Sequence, residues 1–363
     1  MLAPLVVSPR LERLRDRMSA DALLVTSLTN IRYLTGFTGS AGMLFLLPGD
    51  TVLVTDGRYE TQAAEQLSAS GAPARVEVAA AAEQKKLCSS LVAGAGVATL
   101  ALEAAHVSWA RQRDFEADWF PGVALEATVG LVEELRQVKD PGEIDRLARA
   151  AEVADEALAA VRDRLAAGPT EAEFGRALDF QMMELGAAGP SFETIVASGP
   201  NAAKPHHRPS SRVVAPSEPV VIDFGALVDG YCSDMTRTVW LGDVEDPRLR
   251  KALDVVLESQ AAGVAAVRAG VACADVDAAC RSVIEAAGLG DRFVHGTGHG
   301  VGLDIHEAPT VSRTSTDTLQ AGHVVTVEPG VYLPGVGGVR IEDTVVVTEQ
   351  GCRPLTRTAK DRP

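Results

Sequence analysis

Residues 220–241, V-V-I-D-F-G-A-L-V-D-G-Y-C-S-D-M-T-R-T-V-W-L, constrain this chain more than any other stretch. They read as two β-branched strands joined at Asp229-Gly230, a dipeptide suited to the positive-φ positions of a two-residue hairpin turn. Apolar residues flank two acids: Val220, Val221 and Ile222 precede Asp223, and Thr236, Thr238, Val239 and Trp240 follow Asp234. A carboxylate inside such a run is costly unless a cation or a fixed donor neutralises it. If the strands pair about the turn, the two acids approach across the ladder, where like charges repel. A metal ion between them removes the repulsion, and hard divalent cations prefer oxygen ligands. Asp223 and Asp234 are therefore read as the first half of a metal site.

The second half of the chain supplies further ligand types. His295-Gly296-Thr297-Gly298-His299-Gly300-Val301-Gly302 places two imidazoles in a loop whose glycines allow close backbone approach. Glu328 ends the run Val324-Val325-Thr326-Val327, and Glu342 opens another apolar run after Arg340-Ile341. Each has an ordinary reading too: Glu342 beside Arg340 as an ion pair, and His106, His207 and His323 as hydrogen-bonded core or surface residues. The glycine loop lacks the G-K-[ST] of a nucleotide-binding P-loop and the following helix of a dinucleotide site. Four carboxylates with one or two imidazoles, all misplaced for a plain strand pattern, favour a metal centre over a set of independent coincidences.

At 363 residues the chain exceeds one ordinary core and fits two domains, expected at 1–128 and 129–363. In the first, strands are expected at 22–26, 43–47, 51–55, 75–78 and 97–102. Helices are expected over 8–18, from 56 to about 68, near 83–93 and over 108–118; the alternation fits an α/β layer with a mixed or parallel sheet. Residues 29–42 are dense in glycine and small polar residues and receive no element. In the second, the order helix, helix, acid-bearing strands occurs twice. Helices at 141–167 and 170–185 precede strands at 193–198, 219–226 and 232–241. Helices at 246–269 and 274–287 precede strands at 293–295, 324–332 and 338–348. This suggests a pseudo-two-fold domain with its site between the halves.

A net charge of −15 argues against nucleic acid, which needs a basic surface, and against anionic membranes. Five scattered cysteines, the absence of a signal peptide pattern and the lack of a long apolar run point to a cytoplasmic protein with reduced thiols.

The motifs V-V-I-D-F-G and Y-C-S-D-M-T-R-T, H-G-T-G-H-G-V-G-L-D-I-H-E, V-E-P-G-V-Y and G-V-R-I-E-D-T resemble, in order, the five-ligand signature of the pita-bread metallopeptidases. That family includes aminopeptidase P, prolidase and methionine aminopeptidase. The resemblance implies an α+β pita-bread catalytic domain with pseudo-two-fold symmetry. It implies Asp223, Asp234, His299, Glu328 and Glu342 as ligands of two divalent metal ions, with Asp234 and Glu342 bridging. Such a ligand set suits Mn²⁺ or Co²⁺, with Zn²⁺ a further candidate. The stretches Y-L-T-G-F-T-G-S-A-G and T-D-G-R-Y are similar to the α/β amino-terminal domain shared by aminopeptidase P, prolidase and creatinase.

F-E-T-I-V-A-S-G-P-N-A-A-K-P-H-H is similar to the Xaa-Pro enzymes, which implies that His206 faces the substrate. By the same resemblance His295 and His306 line the pocket and Tyr332 and Arg340 support it. Lys204 stands where an apolar residue is common, a departure at the pocket rim. The expected activity is removal of an N-terminal residue from peptides with proline second. Glu328 would handle the proton, His306 and His206 would stabilise the oxyanion, and His295 would orient the substrate. A dipeptide-only prolidase is the near alternative and a metal-free binding protein on the same fold the distant one. A homodimer is expected.

Overall fold

In the computed structural model, which describes residues 2–361, the apolar runs of the N-terminal part pair into one six-stranded sheet. The chain divides into two units, Met1–Arg136 and Gln137–Pro363. In the first, the strand order is Arg75–Val78, Asp50–Thr55, Met43–Leu47, Ala22–Val25, Thr99–Glu103, Ala124–Thr128. Met43–Leu47 runs antiparallel to both of its neighbours and the other pairs are parallel, so the sheet is mixed. Its central strands read as continuous apolar runs because helices cover them. Leu24, Phe45, Val54, Leu100 and Leu102 pack with Phe115, Trp119 and Phe120 in one buried cluster.

Four elements of this unit differ from expectation. Residues 29–42 contain a helix, Leu28–Thr35, capped by the Ser27 side chain on the Asn30 N–H and closed by Gly36 at φ 78°. Ile31, Tyr33 and Leu34 are buried along it, a face masked in the sequence by the small residues that follow. The helix expected from Asp56 begins at Glu60, since the Asp56 carboxylate instead accepts from the Arg58 N–H in a local turn. The helix Trp109–Asp114 widens into a π-helical turn, Phe115–Trp119, and an edge strand, Ala124–Thr128, follows where none was expected.

In the second unit, Asp140 and Glu143 form a capping box on the helix Pro141–Val161, and Thr170 and Glu173 form one on Glu171–Glu184. Strands Met235–Trp240, Pro219–Phe224 and Ile195–Ser198 make one antiparallel sheet. Helices Pro247–Ala266 and Cys273–Ala286 pack on a second, five-stranded sheet. Its order is Glu307–Val311, Gly298–Gly300, Val324–Val327, Asp343–Val347, Cys352–Pro354. Gly330–Leu333 and Gly337–Arg340 form a separate two-stranded ribbon.

The acid-bearing strands are shorter than the pattern suggested, and each break falls at or beside an acid. The run 324–332 divides at Glu328-Pro329, 338–348 at Ile341-Glu342, and 232–241 at Ser233-Asp234. A carboxylate in mid-ladder would face packed side chains; an interruption lets it turn to a common centre. The hairpin of residues 220–241 does form. Asp229 at φ 45° and Gly230 at φ 73° supply its two-residue turn, and Val228 pairs with Tyr231. Thr236, not Asp234, stands opposite Asp223. At Gly225, where the ladder is interrupted, a side chain would collide with the Ser233 carbonyl. Residues 293–295 are not a strand; the strand is Gly298–Gly300, with a bulge between His299 and Gly300. Among the described residues, no helix is long and apolar enough to cross a membrane.

Candidate metal centre

The breaks described above bring five side chains toward one place. Asp223 lies near the end of Pro219–Phe224, Asp234 just before Met235–Trp240, Glu328 just after Val324–Val327, Glu342 just before Asp343–Val347, and His299 within Gly298–Gly300. One ligand atom each from Asp234, His299 and Glu342 lies within 4.8 Å of the others. His299 Nε2 is 3.5 Å from Asp234 Oδ2 and 3.5 Å from Glu328 Oε1. Asp223 lies near enough to act on Asp234, Glu328 and Glu342 by charge, and its Oδ2 accepts from Arg340 Nη2 at 2.6 Å.

Each ligand candidate is held by neighbours. Glu342 accepts from Thr236 Oγ1 at 2.8 Å, and its own N–H donates to the Thr236 carbonyl at 3.1 Å. The Glu328 N–H donates to the Thr297 carbonyl at 2.7 Å. The His299 N–H donates to Thr326 Oγ1 at 3.1 Å. At Gly298 a side chain would collide with the Thr326 carbonyl, so only glycine lets this strand come so near. His299 Nδ1 lies 3.0 Å from the Gly300 carbonyl. A carbonyl can only accept, so Nδ1 carries the proton and Nε2 presents its lone pair toward the acids.

Electrostatics sets these acids against one another. Burial pushes the Asp234 carboxyl well above its usual range, and Glu342, Asp223 and Glu328 push it further while Arg340 opposes. Glu342 is likewise raised by burial and by Glu328 and Asp223, against the Thr236 hydroxyl and Arg340. Burial brings Glu328 up to about 8, with Arg340 opposing and Asp223 adding. Burial lowers His299 to about 4, so its ring is neutral and able to ligate at neutral pH. Asp223 Oδ1 is buried without a hydrogen-bond partner. An orphaned carboxylate oxygen, mutually repelling buried acids and a neutral imidazole form a donor set that fits divalent cations.

The remaining expected site residues fall in two groups. His295 and Tyr332 belong to one hydrogen-bonded row with Arg340: His295 Nδ1 lies 2.7 Å from the Gly296 carbonyl, so it donates there, and Nε2 accepts from Tyr332 Oη at 2.8 Å. Tyr332 Oη in turn accepts from Arg340 Nη1 at 2.9 Å. Burial brings His295 down to about 4, and the nearby charges of Arg340 and His206 act in the same direction, against the Gly296 carbonyl. The same burial pushes the Tyr332 hydroxyl up to about 12. His306 and His206 are exposed: the His306 ring meets the His299 ring edge-on with centroids 4.4 Å apart, whereas His206 lies near His295.

Sequence reasoning passed over several residues that build this site. Thr236 ties Glu342 to Arg340, whose Nε donates to its hydroxyl at 3.0 Å; with Arg237 and Thr238 in the same strand, nothing local sets it apart. Glu171, fully buried, gathers the loop that carries His206. It accepts from the Ser198 N–H and hydroxyl, Asn201, His207 Nε2 and the Ser210 N–H and hydroxyl. Burial alone would raise this carboxyl, yet those donors hold it at about 2. His207 is thus a hydrogen-bonded structural residue beside the exposed His206.

Comparison with known proteins places this geometry. Residues 145–349 match metallopeptidase family M24, and residues 10–138 match the creatinase/prolidase N-terminal domain. The chain is 38% identical over 355 residues to the uncharacterised peptidase YqhT of Bacillus subtilis, covering 97% of this chain and 99% of that one. The solved Xaa-Pro dipeptidase from Bacillus anthracis is 36% identical with a TM-score of 0.91, over 97% of this chain and 98% of that one. The X-Pro aminopeptidase from Thermotoga maritima is 34% identical with a TM-score of 0.89, over 96% and 99%.

Proposed function

Because the chain belongs to metallopeptidase family M24, we propose that it is an Xaa-Pro aminopeptidase, hydrolysing the bond between an N-terminal residue and a following proline. The observation that carries this reading is the cluster of Asp234, His299 and Glu342 beside Glu328 and Asp223, four acids that repel one another unless cations join them. Asp223, Asp234, His299, Glu328 and Glu342 would hold two divalent ions, Mn²⁺ or Co²⁺. When bound, the pair supplies Lewis-acid polarisation of the scissile carbonyl and acidifies the attacking water.

The chain's own residues do the rest. Glu328, 3.5 Å from His299 Nε2, takes the water's proton and passes it to the proline nitrogen. His306 and His206, both exposed, donate to the developing oxyanion. His295, fixed against Tyr332, orients the substrate. A proline nitrogen carries no hydrogen in the peptide, so recognition relies on shape and on the flanking groups rather than on a backbone donor at that position.

A second reading, a dipeptidase acting only on Xaa-Pro, is favoured by the likeness to the Bacillus anthracis enzyme. Hydrolysis of Gly-Pro measured beside that of a longer Gly-Pro peptide tests both. Turnover of the longer peptide supports the aminopeptidase, turnover of the dipeptide alone supports the dipeptidase, and failure on both after reconstitution with Mn²⁺ or Co²⁺ overturns the proposal. The family resemblance also supports a homodimer, and the five unpaired cysteines support a reducing, cytoplasmic setting. Sedimentation and metal analysis check the assembly and the ions.

A further inference from the structure

Outside the acid cluster, the helix Cys273–Ala286 carries a buried ion pair that the chemistry above does not use. Asp277 is fully buried and Arg281 nearly so; Arg281 Nε donates to Asp277 Oδ2 at 2.8 Å and Nη2 to Oδ1 at 3.0 Å. Such a pair is weak evidence for stability, since desolvation offsets its attraction. Its remaining bonds all go to the segment that bears His295. Arg281 donates to the carbonyls of Phe293, at 3.2 Å, and His295, at 2.9 Å, while Asp277 Oδ1 accepts from the Thr297 N–H at 3.1 Å and the Thr297 hydroxyl at 2.9 Å.

The Thr297 N–H and the Gly296 carbonyl belong to one planar trans peptide and point in opposite directions. Holding the N–H on Asp277 therefore aims the carbonyl away from the helix, and that carbonyl is the acceptor that keeps the proton on His295 Nδ1. With Nδ1 protonated, Nε2 must accept from Tyr332, which leaves the Tyr332 oxygen to accept from Arg340, the partner of Asp223. We propose that Asp277, braced by Arg281, is a positioning residue that fixes the tautomer of His295 by orienting the Gly296–Thr297 peptide. The proposal rests on the peptidase reading only for its consequence on turnover.

The test replaces both members by apolar residues of similar size, Asp277→Leu with Arg281→Met, which avoids leaving an unpaired buried charge. The readout is the set of histidine side-chain nitrogen resonances in the metal-free full-length protein, with His295 assigned by His295→Gln. The wild type should show His295 protonated on Nδ1, and the double variant should show the other tautomer or a mixture. In the reconstituted enzyme kcat should fall about tenfold or more with KM less affected, as for a misoriented group. An unchanged His295 tautomer in the folded double variant overturns the proposal. Should that variant not fold, Asp277→Ala, which also removes the acceptor of the Thr297 N–H, is read the same way. Since the tautomer is read without metal or substrate, an inactive wild type would sink the peptidase reading and leave this proposal standing or falling by its spectra.

Discussion

The two acid-bearing hairpins of the second unit follow one plan and differ in how their charge is met. In one, Asp234-Met235-Thr236 opens a strand; in the other, Glu342-Asp343-Thr344 does, with the threonine again two residues past the acid. Each threonine reaches across to the other hairpin. Thr236 Oγ1 donates to the side chain of Glu342 at 2.8 Å, whereas Thr344 Oγ1 donates only to the main-chain carbonyl of Asp234 at 2.7 Å. Cations are also exchanged unequally. Arg340 of the glutamate hairpin binds the Asp223 carboxylate, while Arg237 of the aspartate hairpin pairs with Asp343 and donates to the Glu342 main-chain carbonyl. Asp223 thus has a protein counter-charge on one oxygen, whereas Asp234, Glu328 and Glu342 have no bonded Lys or Arg among the described residues. What the protein withholds from these three acids a metal must supply, and two of the three belong to the glutamate hairpin, which should respond most to its loss.

The strongest way to break this contrast is to neutralise a glutamate. Glu342→Gln or Glu328→Gln should lower kcat about 100-fold or more with far-ultraviolet circular dichroism unchanged, since each removes an expected ligand rather than a supporting contact. Normal turnover in either would remove the glutamate hairpin from the centre. The two threonines then sharpen the asymmetry. Thr236→Val should weaken Mn²⁺ binding about tenfold, as loss of an outer-shell partner does. Thr344→Val should leave that affinity alone and cost about 1 kcal/mol of stability from one lost hydrogen bond. Equal weakening in a competition titration would show the hairpins to be equivalent.

Acidity offers a further measure. Glu328 is raised from its ordinary 4.5 to about 8, so between those values the folded, metal-free protein binds a proton that the unfolded chain has released. Stability of the chelated protein should therefore fall as pH rises through that window, and added Mn²⁺ should flatten the slope. A chelated protein that gains stability toward pH 8 contradicts the repulsion at the glutamates. Outside both hairpins, His207→Ala removes one donor from the charged Glu171 and should cost about 1.5 kcal/mol in denaturant unfolding with kcat nearly unchanged.

How far the sequence reveals this arrangement depends on whether a residue's neighbours lie near it in the chain. Asp223, Glu328 and Glu342 stand out because each is a charge within an apolar run, and five of the six strands of the first unit's sheet follow from its apolar segments, the edge strand Ala124–Thr128 being the exception. The Thr170–Glu173 capping box is equally local and equally readable. Thr236, Asp277 and Glu171 pass unnoticed, since a threonine in a strand and an acid on a helix are ordinary until a residue far along the chain comes to bond them. The strand break at 341–342 is hidden for the same reason: a β-propensity pattern runs through it, and only the tertiary demand on the acid interrupts the ladder. The break at 328–329 is local, since Glu328-Pro329-Gly330 already ends the apolar run.

The matched spacing of Asp234 with Thr236 and of Glu342 with Thr344 bears on how such a chain can vary. Successive strand residues alternate between faces, so gaining or losing a single residue inside either tripeptide would turn its hydroxyl to the far side and leave the opposite hairpin unsupported. Substitutions there can be graded in their effect, but changes of length cannot. Insertions should be absorbed instead at the ribbon turn beyond Leu333, where Gly335 has open space around it.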